Sequence, residues 1–217
     1  VEISWADLED SGFLRLHQRF RGTVSFQRLY LGLVHYPVYN KNGDTIASAI
    51  TTLDLHDLAR LCRTYGLKRF FAITPLTDQQ ELARRVIRHW TEGYGARYNR
   101  DRKEAVEQIG VVPDIDAAAE TVRIAEGEAP RLVATDAAPG EGTLGFGEAR
   151  DTLGRGLPVM LLLGTAWGLH QEVLGRADHV LEPIRGPGRY NHLSVRTAGA
   201  IILDRLISGA SHPGATS

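Results

Sequence analysis

The 217-residue chain holds a single cysteine, Cys62, and a single methionine, Met160. One thiol excludes an internal disulfide and any zinc site built on paired cysteines. It fits a reducing compartment, so the expectation is a cytoplasmic protein. No run of 18 apolar residues occurs; the longest purely apolar stretch, Val159–Leu163, has the length of a strand. Residues 1–27 carry Glu2, Asp7, Glu9 and Asp10 without a long apolar block and do not read as a signal peptide. The eight histidines are scattered and form no HExxH or similar pair, so no metal is expected. GxxxxGK[ST] is absent, which removes the P-loop, and GxSxG is absent, which removes the hydrolase elbow. The nearest approach to a dinucleotide fingerprint, GTLGFG at 142–147, precedes a late helix instead of following the first strand. Internal repeats and low-complexity tracts are also missing.

The remaining composition is that of an ordinary globular chain, 43% hydrophobic and 24% charged, long enough for one sizeable core. A net charge of −1 argues for no particular partner, but its distribution is uneven. Between residues 60 and 103 eleven basic residues stand against four acidic ones. Such a stretch is either a solvated helix face or a surface that meets phosphates. Residues 1–27 lack a strong period and read as an N-terminal extension of unassigned role, with a short helix near Leu8–Phe20 as one option. Residues 28–208 read as a single domain, and 209–217 as a flexible tail.

From Leu29 onward apolar runs of strand length alternate with helical periodicity. Strands are expected at Leu29–His35, Arg69–Thr74, Ile109–Val112, Arg131–Thr135, Pro158–Leu163 and Asp178–Glu182. Helices are expected after Asp54 (as cap), over a Thr77/Gln80 capping box, after Asp114 or Asp116, at Gly145–Gly154, at Gly168–Gly175 and from Leu193 to Ile207. Asn42-Gly43 makes a turn, but no strong strand follows it. Apolar strands separated by helices imply an α/β fold with a mostly parallel sheet covered on both faces.

Open α/β sheets bind ligands beyond the carboxyl ends of their strands. Three such exits are rich in small, turn-forming residues: ATDAAPGEG after Val133, GTAWGL after Leu163, and EPIRGPGRYNHLS after Leu181. Taken by themselves these are phosphate cradles, plain turns or the walls of another kind of pocket.

The segment EPIRGPGRYNHLSVRTAGAIIL resembles the third motif of the SPOUT RNA methyltransferases, with Pro183, Ile184, Gly186, Leu193, Ser194 and Val195 in register and Tyr190-Asn191-His192 in place of a Ser-Leu-Asn triplet. GTAWGL resembles the second motif, one residue shorter and without its glutamate. TLDLHDLARLCRTYGL resembles the first, with Arg60 on its arginine and Asp54 on its asparagine. LVHYPVYNKNGD, RHWTEGYGARYN, GTAWGL and YNHLSVR together are similar to a smaller SPOUT family related to the tRNA guanine-N1 methyltransferases. The likeness runs from residue 29 to about 208.

The resemblance implies a deep trefoil knot in the C-terminal third, S-adenosylmethionine as cofactor, RNA (tRNA or rRNA) as substrate, methylated on a base nitrogen or a ribose hydroxyl, and a homodimer. A sulfonium nucleoside wants backbone polar groups and apolar walls rather than an anion cradle. The residues it assigns to the cofactor are Thr135, Leu163, Gly164, Thr165, Gly168, Glu182, Ile184, Gly186, Asn191, His192, Leu193 and Ser194. Ser194 also suits a plain helix cap. Arg60 and Asp54 become the catalytic candidates, and Arg84, Arg88, Arg97, Arg100 and Arg185 the RNA contacts, with Tyr94 and Tyr98 nearby to stack on a base. Gly186→Val should then abolish cofactor binding. The altered second motif keeps a second reading open, a non-catalytic RNA-binding or assembly protein on the same scaffold.

Overall fold

The computed structural model describes residues 28–208 apart from 139, 141, 154, 155 and 189. The extension at 1–27, its optional helix and the tail at 209–217 lie outside the described residues. Six strands form one sheet: β1 (Leu29–Val34), β4 (Arg69–Ile73), β5 (Ile109–Val112), β6 (Arg131–Thr135), β7 (Val159–Gly164) and β8 (His179–Leu181). All pairs in it are parallel, in the order β5-β4-β1-β7-β6-β8. The mostly parallel α/β reading therefore holds, and the six expected strands match to within a residue at each end.

The unbroken apolar runs follow from burial on both faces. Successive side chains of a strand point to opposite sides. Leu29, Leu31 and Leu33 of β1 and Val159, Leu161 and Leu163 of β7 join one core cluster. It is shared with helices α1 (Thr52–Thr64), α2 (Thr77–Thr91), α4 (Arg100–Val106), α6 (Phe146–Leu153) and α8 (Val195–Ile207). The alternate residues Tyr30, Val34, Met160 and Leu162 join a second cluster with α5 (Ile115–Glu126) and α7 (Gln171–Arg176).

Local chemistry departs from the expected pattern in several places. Thr51, not Asp54, caps α1: its hydroxyl oxygen accepts from the Asp54 amide at 3.1 Å and its proton goes to the Asp54 carboxylate at 2.6 Å. Asp54 thus sits one turn inside the helix, where a carboxylate complements the N-terminal dipole. The capping box at Thr77/Gln80 does not form: Leu76 holds the N-cap position, and the Gln80 side-chain amide donates to the Thr74 carbonyl at 2.8 Å. Asp114 does cap α5, accepting from the Ala117 amide at 2.7 Å. Two short helices, α3 (Tyr94–Tyr98) and α4, occupy a stretch that carries no clear period. Asn42-Gly43 does close a hairpin, between β2 (Val38–Tyr39) and β3 (Thr45–Ile46), each too short to show an alternation.

Strand order positions the site. β1 leads outward to β4 and β5, while the later strands build the other half and β7 enters between β1 and β6. The carboxyl ends of β6, β7 and β8 therefore meet beside that of β1, and α8 closes over them. Gly199 of α8 allows this approach: a Cβ there would stand 3.1 Å from Leu163 Cδ1 and 3.4 Å from Leu58 Cδ2. Among the described residues no helix is long and apolar enough to cross a membrane.

Gly199→Val should lower stability by about 1–3 kcal/mol through overpacking, read as a lower urea midpoint. Gly199→Ala should be close to neutral, since a helix-propensity gain of about 1 kcal/mol offsets the tight methyl contacts.

Candidate functional site

A cavity of about 650 Å³ opens at the strand exits, within the roughly 300–1,000 Å³ range of ligand clefts. Its floor and walls come from Thr135, Leu163, Gly164 and Thr165 at the ends of β6 and β7, from the loop after β8, and from Val195, Ala198 and Ile202 of α8. Thr51 and Asp54 at the start of α1 complete its rim. Gly164 is there for closeness. A Cβ on it would fall 2.6 Å from the Leu169 amide nitrogen and 2.9 Å from the Gly168 carbonyl carbon, so no side chain fits while the next turn folds back over the strand end.

The charges in this cavity have one sign. Asp54, Asp136 and Glu182 line it, and among the described residues no lysine or arginine does. That disposes of the phosphate cradle suggested by the glycines and arginines of 184–189 and favours a cationic or neutral ligand. Glu182 spends one oxygen on the Phe146 amide, 2.7 Å away. Asp136 accepts from the Ala138 amide at 3.0 Å. Asn191 donates to the Ala137 carbonyl at 2.9 Å and so ties the loop after β8 to the loop after β6.

Of the residues assigned to the cofactor, all but Gly186 line this cavity. Gly186 is exposed, and a Cβ on it would meet nothing within 4 Å, so a valine has room there. Ser194 caps α8, accepting from the Thr197 amide at 3.3 Å. Asp54 is nearly buried at the rim, its side chain 14% exposed. Arg60 is not with it. Six residues along a helix turn about 240°, and Arg60 lies on the exposed side of α1, away from the cavity lining. The cation beside Asp54 is Arg196 of α8, 3.4 Å from Asp54 and 3.5 Å from Asp57. The sequence carried a signal for it, since a basic side chain in the first turn of a helix opposes the dipole unless carboxylates face it.

The five arginines assigned to RNA do not form one surface. Arg185 stands exposed on the loop after β8, next to the cavity-lining Ile184. Arg84 donates to Gln80 at 3.0 Å and Arg88 pairs with Glu81 at 2.9 Å. α2 starts at the exit of β4 and runs 15 residues back, about 22 Å at 1.5 Å per residue. Arg97 and Arg100, with the stacked, exposed Tyr94 and Tyr98, therefore lie toward the far end of the sheet. A second cleft at that end is lined by Arg63, Lys68, Arg69, Glu104 and Glu126, and several of its charges pair with their neighbours.

Behind the cavity wall is a polar chain that sequence reading missed. His35, fully buried at the end of β1, has Nδ1 3.0 Å from Ser48 Oγ, which lies 2.5 Å from Thr165 Oγ1. Thr165 donates to the Val34 carbonyl at 3.0 Å. Each hydroxyl in this chain has one proton to give, so the direction of the Ser48–Thr165 contact and the tautomer of His35 are set together. Nε2 is buried and has no hydrogen-bond partner among the described residues. Burial lowers the His35 pKa to about 4, against the opposing pull of the Asp54 carboxylate.

A family model described as SAM-dependent RNA methyltransferase matches residues 28–208. A tRNA (guanine-N(1)-)-methyltransferase of Oleidesulfovibrio alaskensis is 43% identical over 204 residues, 94% of this chain and 47% of that protein. A similar relative in Nitratidesulfovibrio vulgaris is 44% identical over 93% of this chain and 46% of its own length. The chain thus spans about half the length of these curated relatives. An uncharacterized protein of Aquifex aeolicus is 35% identical over 84% of this chain and 89% of its own length. Among solved structures, the SpoU methyltransferase AviRb of Streptomyces viridochromogenes aligns with a TM-score of 0.53 at 16% identity, covering 84% of this chain and 59% of that one. A probable methyltransferase of Bordetella pertussis Tohama I aligns at 0.56 with 15% identity, covering 83% and 95%. The fold is that of the SPOUT methyltransferases.

The buried neutral His35 makes stability depend on pH. In the unfolded chain a histidine titrates near 6.5, so between that pH and about 4 the unfolded state binds the extra proton. The contribution is present above pH 6.5 and is lost as the pH falls toward 4. Urea midpoints should drop from pH 7.5 to pH 5, and His35→Gln should flatten that drop. His56, also lowered by burial, adds in the same direction.

Proposed function

This chain belongs to the SAM-dependent RNA methyltransferase family, and from that premise we propose that residues 28–208 are a catalytic domain that transfers a methyl group from S-adenosylmethionine to RNA. The observation that carries the proposal is the cavity at the exits of β6, β7 and β8, lined by Asp54 and two other carboxylates and, among the described residues, by no lysine or arginine. Its size and chemistry fit the cofactor. Leu163, Ile184, Leu193, Val195 and Ile202 offer apolar walls, Gly164 and Gly168 bring backbone close, and Thr135 and Glu182 offer oxygens for a ribose. When bound, S-adenosylmethionine supplies an electrophilic methyl group on a sulfonium cation.

The acceptor must lose a proton, whether it is a base nitrogen or a ribose hydroxyl. Asp54 is the carboxylate placed to take it. Thr51 holds one of its oxygens at 2.6 Å, and Arg196 stands beside the other without a tight contact. The geometry favours Asp54 over Arg60 as the group at the acceptor, because only Asp54 reaches the cavity rim. We place Arg185 on the RNA side of the mouth, and Arg84, Arg88, Arg97 and Arg100 on a surface that meets more distant parts of the same RNA.

The two tRNA methyltransferase relatives make tRNA the first substrate to try. Their name belongs to proteins about twice as long, so the methylated position on this chain's substrate is a separate question. A homodimer, a cytoplasmic location and a knot formed where the 182–194 segment crosses the exits of β6 and β7 belong to the same proposal.

Calorimetry should show S-adenosylmethionine binding, retained in Gly186→Val and lost in Gly164→Val. Tritiated methyl transfer to tRNA from a strain deleted for the gene should fall about 10²–10⁴-fold in Asp54→Asn, with cofactor affinity changed only a few-fold. No cofactor binding by the folded protein would overturn the proposal. Binding without transfer to any RNA would leave the non-catalytic reading in its place.

A further inference from the structure

The turn between β7 and α7 carries an unusual side chain. Trp167 lines the cavity, yet its indole is 59% exposed. A tryptophan left in water by a folded chain calls for a reason, because the side chain is among the largest apolar groups available for burial. The turn that presents it is also strained: Ala166 has φ of 52°, in the left-handed region that side chains avoid. Strain of this kind persists only where surrounding structure over-determines it.

Here that structure is the β2–β3 hairpin. The Trp167 amide donates to the Tyr39 carbonyl at 3.0 Å, the Tyr39 amide donates to the Gly168 carbonyl at 3.1 Å, and the His170 amide donates to the Pro37 carbonyl at 3.2 Å. Val38 bridges antiparallel to Leu169, and the Tyr39 and His170 rings lie 4.9 Å apart. The hairpin thus acts as a brace, fixing the backbone under Trp167 while leaving the indole free. The cavity lining carries one other exposed large apolar side chain among the described residues, Leu193 on the β8 exit, 41% exposed.

We propose that Trp167 is the stacking platform for the RNA nucleobase at the acceptor site, so that the chain acts on an unpaired or extruded nucleotide. The proposal rests on the methyltransferase reading and adds the class of acceptor to it. A flat aromatic face accepts any base, and its contact is worthwhile only when the base has left its own stack. A single braced indole offers too little area for a stable protein interface. It suits one planar group instead. The acidic cavity beneath it repels phosphate, so a nucleotide is expected to enter base-first, its backbone remaining outside near Arg185.

The test compares Trp167→Ala, Trp167→Phe and Trp167→Leu with the wild-type protein, folding being checked by circular dichroism. Filter binding to tRNA from a strain deleted for the gene, without cofactor, should weaken about tenfold or more in the alanine and leucine variants and recover in the phenylalanine variant. KM for that tRNA should rise in parallel, while S-adenosylmethionine affinity stays within twofold. Unchanged tRNA binding in Trp167→Ala overturns the inference. A leucine variant equal to phenylalanine overturns stacking as the contact. Loss of cofactor affinity makes Trp167 a cofactor wall, and loss of a dimer in sedimentation makes it a subunit seam; either result also overturns it. If the wild-type protein binds no S-adenosylmethionine, the methyltransferase reading falls first. If it binds and transfers while Trp167→Ala is indifferent, only the stacking inference falls.

Discussion

The cavity depends on one pairing, the parallel register of β7 against β1 from Leu29–Val159 to Val34–Gly164. These strands are far apart in the chain, and their union closes a long loop whose entropy must be repaid by burial. The repayment comes from leucine and valine side chains on both faces of the central strands. Once the register is set, Gly164 stands level with Val34, and Thr165 reaches the Val34 carbonyl and Ser48. A slip of one residue would turn every one of these side chains to the opposite face. The hydrophobic pattern of the core thus determines where the polar atoms of the site fall.

Two cores, one on each face of the sheet, hold that pairing in place, and the site lies where α8, α1 and the strand exits converge. The acidic lining is held by backbone amides and by Thr51, and the nearest cation, Arg196, lies outside the lining and faces Asp54 and Asp57. This separation of sign is the chemical character of the site. Under the proposed function, a cationic cofactor and a neutral base would fit inside, and the phosphates of a nucleic acid would meet cations outside.

Much of the fold was readable from the chain. Strands of four to six mostly apolar residues announced themselves, because burial on both faces leaves few polar positions in them, and those at the ends, as at Arg131 and Thr135 of β6. The hairpin did not, since two-residue strands have no period to detect; its stability comes from pairing with the Trp167 turn. Asp114 capped its helix as the local rule requires. Asp54 did not, because Thr51 stood three residues earlier and took the position. The cavity loops were legible as glycine-rich strand exits, and all but Gly186 of the residues assigned to the cofactor line one cavity.

Residue identity and local spacing alone determined the α/β alternation, the parallel sheet, the helix caps of α5 and α8, and the three strand exits that line one cavity. Only the tertiary structure decided which charges share a surface. Arg60 and Asp54 are six apart in the chain and on different sides of α1, whereas Arg196, from the far end of the chain, comes within 3.4 Å of Asp54. The basic stretch from 60 to 103 looks continuous as text, but a helix that starts at the exit of β4 runs back toward the opposite end of the strands. Electrostatic interaction depends on distance through space, and strand order sets that distance. The chain carries the side chains, and the insertion of β7 between β1 and β6 decides which of them meet.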